Sequence, residues 1–410
     1  MLIVPGILYL LLMGVPVYEQ QIQNYILILI PQFCIYFFIL WQIFRHEDKL
    51  PPCSWFLIFA GLYRLIFLLS FLIFPGLYES SIIGNSDSGQ APALLVAYLE
   101  HWPGGSLFYW RLFLLLLEVA LGFLLVNLIR YFGLSTYRIL ILLLNPLWII
   151  EIYRNGHGQL TAILLLWLAF GFFYFRKDWQ ALPAVVLSFF VSVLPLFAYL
   201  PFLYKKFWPK VLFTLTGIAV MVYIFSITNT VPSYHFIFAL DREGFNGPLI
   251  STGIYLSEHF DLTGAEVITL NWFGNPAAVY TRVEFYMLLL IVLIVLAVII
   301  TQIKKLHLTA DFRSINYLQS SFIITGALLL VTPVFHPWHL LWILPFIIFL
   351  PNWSWLVFTV LIQLSYLFWT DYQSPDSAIT SGWMSIVMYG TFYIMLVAEY
   401  LDKRNVKGWF

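Results

Sequence analysis

Apolar runs of membrane length follow one another along almost the whole chain, and they limit what it can fold into. Runs of about 17–25 apolar residues read as membrane-crossing helices, because a helix rises about 1.5 Å per residue against a hydrocarbon core of about 30 Å. Such runs cover residues 2–18, 24–44, 54–77, 107–129, 137–153, 160–175, 211–227, 283–301, 315–332, 353–369 and 383–401. A shorter one covers 339–350, and a run interrupted by Pro183, Pro195 and Pro201 covers 181–204. A chain that is 62% hydrophobic and only 10% charged has too little polar surface for a water-soluble globule. A net charge of zero gives no reason to expect a nucleic-acid partner. Cys34 and Cys53 lie in or beside apolar runs and read as packing residues, not a metal motif. The run at 2–18 lacks a basic n-region and is expected to be a retained helix.

The positive-inside rule orients these spans. With the N-terminus cytoplasmic, the inner turns carry 15 of the 20 basic residues, from Arg45 and Lys49 to Lys403, Arg404 and Lys407. The assignment closes on one condition. Residues 181–204 have basic turns at both ends, Arg176-Lys177 before and Lys205, Lys206 and Lys210 after, so they must enter and leave on one side. Two half-helices or a re-entrant hairpin satisfy this, with the three prolines supplying the break. The expected fold is therefore an all-α polytopic membrane protein, a single domain over 1–410. It has twelve crossings plus one proline-broken hairpin, both termini cytoplasmic, and large outer loops at 78–106 and 228–282.

On the outer face this topology collects the polar stretch Asn145 to Gln159, with Glu151, Arg154, Asn155, His157 and Gln159 packed between two spans. Gly156 and Gly158 supply its bend. Ionisable groups at a membrane boundary are costly and tend to be functional, although an interfacial turn solvated by water would have the same composition. The same face receives Asp87, Glu100 and His101, the loop with Arg242 and Asn246, then Arg282, His336, His339 and Asp371. Trp338 and Trp342 fit an interfacial belt. Arg64 and Glu118 fall mid-span at similar depth, about 15 Å in, and read as a structural ion pair.

Asn145-Pro146 with Glu151, Asn155-Gly156-His157, Phe245-Asn246-Gly247 and His336-Pro337-Trp338-His339 with Pro345 occur in that order. In this the chain resembles the bacterial integral-membrane glycosyltransferases of the GT-C superfamily, in particular the polyprenol-phosphate-mannose-dependent mannosyltransferases. The resemblance covers roughly residues 145–345. It implies transfer of a hexose, mannose above all, from a polyprenyl-phosphate donor to a lipid or glycan acceptor at the outer face of a bacterial inner membrane. It implies Asp87 as base, and Glu151, Arg154, Asn155, His157, Arg242, Asn246, His336 and His339 as carrier-phosphate or sugar contacts. No cofactor or metal ligand set is expected. The family's acidic pair in the first outer loop is here one acid, in Ser86-Asp87-Ser88-Gly89. Two alternatives stay open: a catalytically inactive scaffold of the same fold, and a lipid or solute transporter.

The hairpin expectation has a direct test. Single cysteines at Ser188, Lys206 and Thr228 should give no labelling of position 206 by a membrane-impermeant reagent from outside. Outside labelling there would invert every later loop.

Overall fold

The computed structural model describes residues 22–45, parts of 57–68, and 106–192, 194–203, 207–227, 267–272, 275–308, 313–332, 335–365 and 386–402. The expected span at 2–18, the chain termini, and Asp87, Glu100, His101, Arg242, Asn246 and Asp371 lie outside the described residues.

Helices make up nearly all of the regular structure. In chain order they are α1 (Ile22–Arg45) and α2 (Ser106–Tyr131), a 3-10 turn (Thr136–Ile139), α3 (Leu140–Leu143), α4 (Pro146–Ile149) and a π-turn (Ile150–Arg154). Then come α5 (Gln159–Tyr174), α6 (Asp178–Val191), α7 (Leu194–Leu203), α8 (Phe207–Ile227) and α9 (Arg282–Leu308). α10 (Asn316–Val331), a 3-10 turn (Pro337–Trp342), α11 (Leu344–Phe349), α12 (Trp353–Leu361) and α13 (Thr391–Asp402) follow. Among the described residues two helices are long and apolar enough to cross a membrane, at Phe108–Tyr131 and Leu289–His307, and a bent pair within 136–153 makes a third. Their outward faces stay apolar, with Leu116, Val119 and Phe123 on α2 and Leu289, Leu293 and Leu296 on α9 exposed. Cys34 on α1 also faces outward and is not a core residue.

The all-α expectation has one exception among the described residues. β1 (Val267–Trp272) and β2 (Asn275–Thr281) pair antiparallel from Val267↔Thr281 to Trp272↔Asn275, with a register shift after Leu270. Val267, Ile268 and Thr269 open β1 with β-branched side chains, which favour a pleated strand. A membrane-length scan passes over so short an element.

Contacts between elements sort the described residues into two ends. At one, Tyr131 and Phe132 meet Tyr174 with ring centroids 5.6 and 4.9 Å apart, and Phe132 meets Phe349 at 5.8 Å. Arg313 Nη2 lies 3.0 Å from Asp178 Oδ1, and its Nε donates to the Phe173 carbonyl at 2.8 Å. Lys210 Nζ approaches Asp178 Oδ2 at 3.8 Å. Arg130, Arg138, Arg176, Lys177, Lys304 and Lys305 belong to this basic end, fixed there by their place at the termini of α2, the 3-10 turn, α5 and α9. At the other end, Trp110 near the start of α2 donates to the Gly156 carbonyl at 2.7 Å, and Trp342 donates to Gln159 at 3.1 Å. The span of α2 between them, 26 residues or about 39 Å, sets the separation.

The hairpin returns to the end it leaves. Ser188, late in α6, donates to the Ala162 carbonyl at 2.7 Å, so α6 climbs beside α5 to its start. Phe202, late in α7, packs on Phe170 and Phe173 at 4.7 Å each, back at the end of α5. The break falls at Ser192, whose backbone is extended, next to Pro195. Pro183 and Pro201 sit inside α6 and α7, so one proline of the three marks the break and not all of them.

A second break divides the expected span at 137–153, where the segments 136–143 and 146–153 meet at 58°. Pro146 lacks an N–H and Asn145 folds its side chain back to accept from Leu147 and Trp148, so carbonyls of α3 lose their helical donors. Each is met from outside or locally. Tyr36 donates to the Ile141 carbonyl at 2.7 Å, Asn145 N–H to Leu142 at 3.1 Å and Arg64 Nη2 to Leu143 at 2.9 Å. Arg64 also pairs twice with Glu118, Nε to Oε2 and Nη2 to Oε1, both at 2.6 Å. Glu118 further accepts from Trp148 Nε1 at 2.8 Å and from the Tyr153 hydroxyl. The ion pair expected from matching depth is thus buried and hydrogen-bonded on every side.

Removing either charge alone leaves the other buried without its counter-charge. Arg64→Met or Glu118→Leu should each cost roughly 3–5 kcal/mol in an unfolding titration in detergent, and the double variant should recover much of that loss. A double variant no better than the singles would assign the pair a role beyond stability.

Candidate functional site

The polar end is built by the chain on either side of the π-turn. A π-turn widens the helix by one residue per turn and shifts the facing of the side chains that follow. Here Asn155 N–H reaches back to the Ile150 carbonyl at 2.9 Å, and His157 N–H to the Glu151 carbonyl at 3.0 Å. Gly156 has φ +71°, and an added Cβ would meet Trp110 Nε1 at 3.4 Å. A side chain there would be strained by the backbone conformation, while Trp110 would lie in ordinary contact with it. Gly158 has φ −71° and needs no such freedom, so only one of the two glycines expected to make the bend is required for it. Trp110 and Arg111 hold the turn from α2, through the Gly156 and Tyr153 carbonyls.

Inside this wrap Glu151 is completely buried. Its Oε2 accepts from Asn155 Nδ2 at 2.9 Å and lies 3.2 Å from His157 Nε2. The imidazole, 5% exposed, sits within ion-pair distance but without hydrogen-bond alignment. From the other side of the sequence, Trp338 lies against His157 with ring centroids 4.4 Å apart and against His336 at 4.1 Å, the latter pair nearly parallel at 16°. His336 N–H donates to His339 Nδ1 at 3.1 Å, and His339 is turned inward, 4% exposed. The indole and imidazole rings thus form one continuous stack across residues about 180 apart in sequence.

Of the residues the sequence points to, Glu151, Asn155, His157, His336 and His339 come together here. The backbone of Arg154 lies in the π-turn. Asp87, Arg242 and Asn246 lie outside the described residues. Sequence reasoning placed Trp338 in a motif but assigned its ring to an interfacial belt, and it gave no site role to Trp110 or Arg111 at the start of the apolar run 107–129. Arg111 is fully buried at the very edge of the site. Among the described residues no group of three or more His, Cys, Asp or Glu could hold a metal ion.

Chemically, the arrangement offers imidazole donors beside a shielded carboxylate, and an aromatic platform whose faces are taken by histidines. Asn155, Gln159, His336 and Trp338 are half-buried and form its accessible rim. No protein-family model, curated protein or solved structure matches this chain.

His336, ahead of the 3-10 turn, is pushed down to about 3 by burial, with the His157 charge adding to the effect. The unfolded chain takes up this proton near pH 6.5, so the unfolded state binds more protons between there and about 3. The stability contributed by neutral His336 is therefore complete above that window and lost as pH falls through it. Thermal unfolding measured from about pH 7 down to about pH 4 should show a steeper acid decline in wild type than in His336→Gln. Equal slopes would remove His336 from this account.

Proposed function

We propose that the polar end takes a lipid-linked phosphate ligand, and that the chain is a GT-C-like membrane glycosyltransferase moving a hexose, mannose above all, from polyprenyl phosphate to an acceptor hydroxyl. The observation that carries this reading is convergence: residues 151–159 and 336–342, two of the stretches that bear the resemblance, form one cluster. That cluster lies at the end opposite the basic turns, which supports a multi-pass topology of twelve crossings with the site on the outer face of a bacterial inner membrane.

In the proposed reaction Asp87 accepts the acceptor's hydroxyl proton as its oxygen bonds to the anomeric carbon. The bond from that carbon to the carrier phosphate breaks as the new one forms, so the configuration inverts. Polyprenyl phosphate leaves with the electron pair, met by His157 and His336 with Arg154, Arg242 and Asn246. Glu151 does not suit the base's task, because it is fully buried and held by Asn155.

The single acid of the first outer loop, Asp87, favours a second reading, an inactive scaffold that binds the carrier without transfer. The transporter alternative loses its mid-membrane charges, since Arg64 and Glu118 are bound to each other and to Leu143, Trp148 and Tyr153.

Membranes supplied with labelled polyprenyl-phosphate mannose separate the three. For the transferase, Asp87→Asn should slow transfer by about 10²–10⁴-fold with carrier binding kept. His157→Ala should weaken binding and transfer together. A scaffold would bind and never transfer. Full transfer by Asp87→Asn would end the assignment of the base.

A further inference from the structure

The turn that presents Trp338 is closed by one of its own histidines. Pro337 at its first position has no N–H to offer, and the His336 N–H before it points back into the turn. His339 Nδ1 accepts that N–H at 3.1 Å, while His339 N–H returns to the His336 carbonyl at 3.0 Å. Glu or Gln ordinarily plays this part, reaching back from the third helical position to the boundary N–H. Here an imidazole replaces it. A ring nitrogen that accepts a hydrogen bond carries no proton, so His339 is neutral with its proton on Nε2. Its ring is buried, with centroids 5.8 Å from Phe335, 5.6 Å from His336 and 5.9 Å from Trp338.

We infer that His339 is a positioning residue and not a ligand contact: by fixing the His336 backbone it lays that imidazole flat on Trp338 and so holds Trp338 over His157. The inference rests on reading the polar end as the ligand site, but its structural content does not depend on glycosyl transfer. It divides the cluster's histidines by task. His336 stands at the rim beside Trp338, and His157 lies against the same indole. His339 has spent its acceptor on the chain itself. An acceptor at position 339 is then the requirement, and not an imidazole.

The full-length protein, extracted in mild detergent, gives the test. His339→Gln keeps an acceptor at the third position, whereas His339→Leu fills similar volume with none. Two readouts follow the stack: hydrogen exchange of the peptide 335–342, and carbethoxylation of His157 mapped by mass spectrometry. In His339→Leu, exchange at the His336 amide and modification of His157 should rise roughly five- to ten-fold, as for one lost net hydrogen bond. His339→Gln should stay close to wild type in both. Equal rates in all three proteins would overturn the inference, and so would a rise as large in the Gln variant as in the Leu variant. If His339→Leu cannot be recovered folded, the wild type decides alone, because a freely exchanging His336 amide would rule out the bond. Transfer from labelled carrier is measured on the same samples. Its absence in every version would sink the proposed function and leave the exchange result standing.

Discussion

Arg64 and Glu118 hold the centre of this protein because they allow a helix to break where water cannot reach. A broken helix in an apolar bundle exposes carbonyls that have no solvent to turn to, and each one left bare costs several kcal/mol. At Leu144-Asn145-Pro146 the repair is shared between Tyr36, the Asn145 backbone and the Arg64 guanidinium. A lone guanidinium there would be costlier than the carbonyl it serves. Glu118 neutralises it, and Trp148 and Tyr153, both just past the break, use the remaining carboxylate lone pairs. The Asn145 side chain adds Tyr36 on α1 and Thr359 on α12 to the same junction, each at 3.3 Å.

The break decides the direction of everything that follows. Bent by 58°, the segment 146–153 enters the π-turn, where Trp110 and Arg111 fold it back under α2. Glu151 is thereby drawn inward and His157 brought to Trp338. The two ends of the bundle are built on different chemistry as a result. At the basic end Asp178 bridges Arg313 and Lys210, tying the hairpin to α8 and to the chain just before α10; Asp178 and Arg313 are partly open to solvent, where such a pair contributes little, whereas Lys210 is buried. The polar end relies on buried hydrogen bonds and ring stacking, which demand closer geometry and tolerate less substitution.

Much of the architecture was legible because the membrane imposes simple rules. Apolar length located α2, α5 and α10 within about two residues, and the start but not the end of α9, which runs on to Leu308. Charge at both ends of 181–204 required a hairpin, and Ser188 against Ala162 with Phe202 against Phe170 is that hairpin. Equal depth paired Arg64 with Glu118. Where the reading failed, local cues competed. All three prolines looked like breakers, but an apolar helix accommodates Pro183 and Pro201, and only Pro195 adjoins the break. The hairpin of β1 and β2 fell inside a loop that a membrane-length scan does not resolve. The bend at Asn145-Pro146 was hidden by an unbroken apolar run.

The sequence by itself determined that this chain is a helical bundle suited to a membrane, where several of its helices lie, and that 181–204 doubles back. Those properties follow from apolar length and charge counted along one dimension. Only the tertiary structure decided which polar groups meet. Nothing in the spacing of Trp338, His336 and His157 states that their rings stack, or that Glu151 is enclosed while Asn155 reaches the rim. Nothing local in Leu143 calls for an arginine 79 residues earlier. Such contacts are set by how helices pack once their backbones are satisfied. The donors and acceptors left at each break select their partners from whatever the bundle brings within about 3 Å.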